Sequence, residues 1–121
     1  MDKKKILIID DEVEMLQVLK LRLEADNYIT LIAPNGDEGL EKAKNEKPDL
    51  ILLDIMMPKK DGFTFVKEIK ADDNLRNIPI IILTGKTEMK DLFAIEGIKD
   101  YLLKPFDDVQ LLKKIKQLLP A

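Results

Sequence analysis

Ile6-Leu7-Ile8-Ile9-Asp10-Asp11 and Leu50-Ile51-Leu52-Leu53-Asp54 share one pattern: four branched apolar residues in a row, then acid. An apolar run of this length without alternation reads as a strand covered on both faces, the habit of parallel sheets. Ile80-Ile81-Ile82-Leu83, ahead of Thr84-Gly85, is a third such run. Residues 28–32 and Tyr101-Leu102-Leu103, the latter followed by Lys104-Pro105, are weaker and belong at the edges.

Helical periods fill the gaps. Leu16, Leu19 and Leu23 recur along residues 13–25, and a second helix over 35–45 follows the turn signal Pro34-Asn35-Gly36. Asp61-Gly62 opens a third through Phe65, Val66 and Ile69. A shorter helix is expected over 89–96, and Asp107 is placed to cap the last, over 108–119. The order βαβαβαβαβα predicts an α/β fold: a doubly wound, five-stranded parallel sheet of order 2-1-3-4-5, right-handed and flavodoxin-like, with helices on both faces. A chain of 121 residues suits a single domain over 1–121 with one core.

Composition removes several function classes. Twenty basic residues stand against 23 acidic ones, and a net charge of −3 gives no basic field for nucleic acid. The absence of cysteine removes disulfides, thiolate metal sites and thiol nucleophiles. The absence of histidine means that any imidazole chemistry must come from a partner. Met1-Asp2-Lys3-Lys4-Lys5 has no apolar h-region behind it, and no run is long enough to span a bilayer, so a cytoplasmic protein without membrane contact is expected.

In such a sheet ligands bind beyond the carboxyl ends of the strands, at the switch point between strands 1 and 3. Taken singly, Asp10, Asp11 and Glu12 read as helix-capping acids, Asp54 as a loop aspartate, Thr84-Gly85 as a turn and Lys104 as a solvated lysine. Taken together at one sheet edge they form an acidic pocket with a cation beside it. Clustered carboxylates push one another's pKa upward, and a divalent ion relieves that. Mg²⁺ takes hard oxygens, commonly one or two carboxylates plus phosphate. Asp11 and Asp54 are the expected direct ligands, with Asp10 acting through water and the main-chain carbonyl near Met56 completing the shell. Given the metal, Asp54 can attack phosphorus to form an aspartyl-phosphate, Lys104 can balance the phosphoryl charge, and the Thr84 hydroxyl can bond a phosphoryl oxygen.

Asp10-Asp11-Glu12, Leu53-Asp54-Ile55-Met56-Met57-Pro58 with Asp61-Gly62, Leu83-Thr84-Gly85 and Asp100-Tyr101-Leu102-Leu103-Lys104-Pro105-Phe106 occur in that order on the predicted strand ends. In these motifs the chain resembles the receiver domain of two-component response regulators, across essentially its whole length. The resemblance implies a signalling phosphoprotein rather than a turnover enzyme, one that promotes its own phosphorylation and dephosphorylation. It implies Asp54 as phosphoacceptor, Asp10 and Asp11 as the acidic pair, Thr84 and Tyr101 as the switch pair, Lys104 as the phosphoryl-binding lysine, and a cis Lys104-Pro105 bond. It further implies a histidine kinase or histidine phosphotransfer protein as donor, and an output surface on the helix over 89–96, the fifth strand and the last helix. Met56 and Lys86 occupy positions that in such domains tune phosphoryl lifetime.

The twenty positions from Thr84 to Lys104 are fewer than the family pattern has, so the segment between them should be shortened, and Gly85 stands where alanine is usual. Met15 and Val18 are candidate donor contacts with Pro105 and Phe106, or else a second stripe packed on a neighbouring helix. On the last helix Leu112, Ile115 and Leu119 are expected to face the core and Lys113, Lys114 and Lys116 the solvent. Two other function classes fit the same acids: a small Mg²⁺-dependent phosphohydrolase with Asp10 as nucleophile, and a receiver-like binding module that is never phosphorylated. The chain reads either as a stand-alone relay protein or as part of a larger regulator.

Overall fold

The computed structural model describes residues 3–55, 60–84, 97–98 and 100–119, with the side chains of 55, 60 and 61 set aside. The predicted helix over 89–96 lies outside the described residues, as do Met56, Gly85 and Lys86.

Five parallel strands, β1 (Lys5–Ile9), β2 (Ile29–Ala33), β3 (Leu50–Ile55), β4 (Ile80–Thr84) and β5 (Asp100–Leu103), form one sheet in the order β2-β1-β3-β4-β5. This is the predicted order, and its physical reason is burial. The runs in β1, β3 and β4 are covered on both faces, so the apolar residues of each strand divide between two cores. Leu7, Ile9, Ile51, Leu53, Ile80 and Ile82 pack on one face with Ala43 of α2 (Gly36–Glu46) and Phe65, Val66 and Ile69 of α3 (Lys60–Ala71). Ile6, Ile8, Leu50, Leu52, Ile81 and Leu83 pack on the other with Leu16, Leu19 and Leu23 of α1 (Val13–Ala25) and Leu111 and Ile115 of α4 (Asp108–Leu118). Each fully buried Leu or Ile contributes roughly 1.5–3 kcal/mol, enough to fix the register.

Local signals set the helix starts. The Asn35 Oδ1 accepts the Glu38 N–H at 2.9 Å and caps α2. Asp107 and Gln110 form a reciprocal capping box that starts α4 directly after the cis Lys104-Pro105 bond. Glu12 stands at the N-cap of α1 without a side-chain capping bond. Gly39 brings α2 close to β1: a Cβ there would lie 2.5 Å from the Ile9 Cδ1.

One sequence expectation shifts. On α4 the buried face is Leu111 and Ile115, while Leu112 and Leu119 are half-buried at its margin; the helix is rotated so that the earlier leucine of the Leu111-Leu112 pair points inward. Lys113 and Lys116 are exposed as expected, Lys116 3.4 Å from Asp26, and Lys114 is half-buried 3.8 Å from Asp100. No helix among the described residues is long and apolar enough to cross a membrane.

Candidate functional site

The sheet delivers the predicted residues to one edge by register. Ile9 pairs Leu53, which places Asp10 beside Asp54; Ile55 pairs Thr84; and Thr84 pairs Leu103, one residue before Lys104. Main-chain bonds from Asp10 N–H to the Ala33 carbonyl at 3.1 Å and from Lys104 N–H to the Thr84 carbonyl at 2.8 Å hold that edge together. Side-chain alternation then sorts the groups. Asp10 and Asp54 continue the row of Ile8 and Leu52 toward α1 and α4, whereas Thr84 follows Ile82 toward the face on which Tyr101 packs.

Among the described residues the buried polar or charged side chains are Asp10, Asp54 and Thr84, all at this edge. Buried carboxylates need compensation, and here it is partial. Lys104 Nζ donates to Asp54 Oδ1 at 2.5 Å, an ion pair whose carboxylate side chain is fully shielded from solvent. Asp10 Oδ1 accepts the Glu12 N–H at 3.0 Å. The second oxygens, Asp10 Oδ2 and Asp54 Oδ2, are buried without a hydrogen-bond partner. Burial pushes the Asp10 carboxyl up to about 7; the Glu12 amide opposes the rise, the Asp54 charge adds to it and Lys104 opposes it.

Two buried carboxyl oxygens without partners, on residues that register brings to neighbouring strand ends, are a donor set for a hard divalent cation, and Mg²⁺ commonly binds through one or two carboxylates. The fit is therefore good for Asp10 and Asp54. Asp11 is exposed, and among the described residues no three acidic, histidine or cysteine side chains are grouped so as to hold a metal ion. Asp10 is the buried acid of the pair. The Glu12 amide, which orients Asp10, was missed by sequence reasoning; the signal was available, since an aspartate commonly accepts the N–H two residues on.

The Tyr101 hydroxyl donates to the Ile98 carbonyl at 2.8 Å, with its ring half-buried against the α2 and α3 core. On the other face Met15 and Phe106 are partly buried in the α1 and α4 core, while Val18 is exposed. Met15 thus follows the packing alternative, and Val18 remains available to a partner.

A family model described as the response regulator receiver domain matches residues 6–116. The chain belongs to that family. Its receiver-domain relatives include the alkaline phosphatase synthesis transcriptional regulatory protein PhoP of Bacillus subtilis, 40% identical over 118 residues that make up 96% of this chain and 48% of PhoP. The response regulator PleD of Caulobacter vibrioides is 37% identical over 94% of this chain and 26% of its own length. The chain spans about half the length of PhoP and other curated relatives it matches. Among solved structures, the Vibrio cholerae chemotaxis protein CheY4 superposes with a TM-score of 0.89 at 32% identity, covering 97% of this chain and 99% of CheY4. The receiver domain of the sensor histidine kinase PA1611 of Pseudomonas aeruginosa superposes with a TM-score of 0.86 at 28% identity, covering 99% of this chain and 100% of that one; that structure has a magnesium ion coordinated in its active-site cleft. The protein is therefore a receiver domain of two-component signalling with a CheY-like fold.

Proposed function

We propose that this receiver domain accepts a phosphoryl group on Asp54 from the phosphohistidine of a histidine kinase or histidine phosphotransfer protein, in a Mg²⁺-dependent reaction that turns a Thr84/Tyr101 switch. The observation that carries the reading is the state of Asp54: a buried carboxylate with one oxygen on Lys104 and the other unpartnered at the open end of the sheet. Oδ2 is then the attacking atom. Its bond to phosphorus forms as the donor's phosphorus–nitrogen bond breaks, and the donor imidazole leaves with the electron pair and takes up a proton. Lys104, already at Oδ1, stays beside the new phosphoryl oxygens and offsets their charge. Thr84 supplies a hydroxyl donor from β4. Mg²⁺, with Asp10, Asp11, Asp54 and the main-chain carbonyl of Met56 as its proposed ligands, would supply positive charge against the carboxylates and the incoming phosphoryl oxygens.

Asp10 makes a poor alternative nucleophile, which disfavours the phosphohydrolase reading. Its Oδ1 is engaged by the Glu12 amide, and a carboxyl raised to about 7 is largely protonated in mildly acidic solution. The proposed output surface is the segment over 89–96 with β5 and α4, presented to a downstream protein and not to nucleic acid. Incubation with acetyl phosphate and Mg²⁺ followed by intact-mass measurement tests the site. One added phosphoryl group is expected, absent from Asp54→Asn and from metal-free samples; modification that survives in Asp54→Asn would overturn the assignment.

A further inference from the structure

Tyr101 stands in register with Ile82, so Thr84 lies two residues farther toward the phosphoryl edge, about 7 Å along the strand. The Tyr101 hydroxyl is engaged in the opposite direction: it donates to the carbonyl of Ile98, which precedes the first residue of β5. That carbonyl belongs to a residue only 3% exposed, in the same core cluster against which the Tyr101 ring packs. Gly97, with φ +83, sets the turn that leads into it. The space where a Cβ would stand is open, so glycine is required there by backbone conformation and not by crowding.

We infer that the Tyr101 hydroxyl and the Ile98 carbonyl form the resting latch of the switch, so that phosphorylation at Asp54 reaches the Gly97-Ile98 turn by breaking this one hydrogen bond. The inference depends on the proposed phosphoacceptor reading and adds where the change is delivered. When the ring turns toward Thr84, its hydroxyl leaves Ile98, and a buried carbonyl that loses its donor is unfavourable until it finds another. The turn must then rearrange. Gly97, one residue before Ile98, can change its backbone angles with little steric resistance and so let the turn readjust around that carbonyl. A local change at the carboxyl edge of the sheet thus appears at its opposite edge, where the segment preceding β5 joins the strand.

The Ile98 carbonyl carbon resonance reports this bond directly. In the unmodified protein, Tyr101→Phe should displace it, and beryllofluoride with Mg²⁺ should displace the wild-type resonance in the same direction while moving the variant's far less. A second measurement keeps the hydroxyl. The chain has two tyrosines and no tryptophan, so in Tyr28→Phe the near-UV signal belongs to Tyr101 alone and should change when beryllofluoride binds. Intact-mass measurement after acetyl phosphate separates the two claims. A protein that takes up one phosphoryl group while the Ile98 resonance and the tyrosine signal stay fixed overturns the latch and leaves the phosphoacceptor reading intact. A protein that takes up none overturns that reading and the latch with it.

Discussion

Asp10→Asn should stabilise the metal-free protein at alkaline pH and have little effect near pH 4. In the folded chain the Asp10 carboxyl titrates at about 7, against an ordinary value of 3.8, because burial disfavours its charged form. Between those two values the folded state holds a proton that the unfolded state has lost. Stability contributed by this group is therefore present below the unfolded value and falls as pH rises through the folded one. Each pH unit is worth ~1.4 kcal/mol, so the full interval comes to about 4 kcal/mol, and a loss of roughly 2–4 kcal/mol is expected on going from pH 4 to pH 8. Asparagine keeps an oxygen for the Glu12 amide but carries no charge to bury. Urea denaturation of both proteins in chelator, at intervals from pH 4 to 8.5, isolates the contribution as the difference between the two curves. Wild type should fall below the variant by about 2–4 kcal/mol at pH 8 and converge with it near pH 4. Parallel curves, or a variant no more stable than wild type at pH 8, would refute the claim that Asp10 is held uncharged by burial.

Mg²⁺ affinity measured calorimetrically should rise with pH, approaching tenfold per unit below about 7 and levelling above it, because binding must displace the Asp10 proton. A flat profile from pH 5.5 to 8 would remove Asp10 from the metal site. Lys104→Met leaves the buried Asp54 charge unpaired and should lower stability by about 3 kcal/mol, much of it restored by adding Asp54→Asn, as a urea double-mutant cycle would show. Gly39→Ala should lower stability by about 1 kcal/mol despite better helix propensity, since its Cβ would press on the Ile9 Cδ1; Ile9→Val deletes that methyl and should reverse the sign of the glycine substitution. Asp107→Ala removes the capping box of α4 and should cost about 1 kcal/mol in the same assay.

The central strands were legible because burial on both faces leaves short, continuous, β-branched or leucine-rich runs bounded by turn signals, too short for a buried helix. Ile6 to Ile9 and Leu50 to Leu53 are continuous apolar runs, and sequence reading placed them beside each other correctly. Strand ends were less legible. β3 continues through Asp54 to Ile55 and β4 includes Thr84, because a polar residue at a site does not end a hydrogen-bonded ladder. Which of Asp10 and Asp11 faces inward was hidden for the same reason: successive residues of an extended chain point to opposite sides, and composition carries no phase. The choice between Leu111 and Leu112 on α4 is the helical form of that problem. The capping of α4 by Asp107, by contrast, is a local event and was read correctly.

The charge count at the site explains why its parts are individually unfavourable. Asp10 and Asp54 ionised, with Lys104 beside them, sum to −1 in a buried setting that tolerates unpaired charge poorly. The protein alone relieves this by letting Asp10 keep a proton into the neutral range. On the proposed reading a divalent cation takes that proton's place, and with Asp11 joining as the exposed ligand the three carboxylates, Lys104 and the cation sum to zero. Transfer to Asp54 replaces a carboxylate of charge −1 with an acyl phosphate of about −2, so the loaded site carries −1, against −3 without the metal. The same count predicts an order of effects, with metal binding hindered by protons and phosphoryl binding hindered by the absence of metal. On the same reading, loss of Lys104 would leave the loaded site at −2, and the buried Asp54 carboxylate would lose the ion pair it now makes.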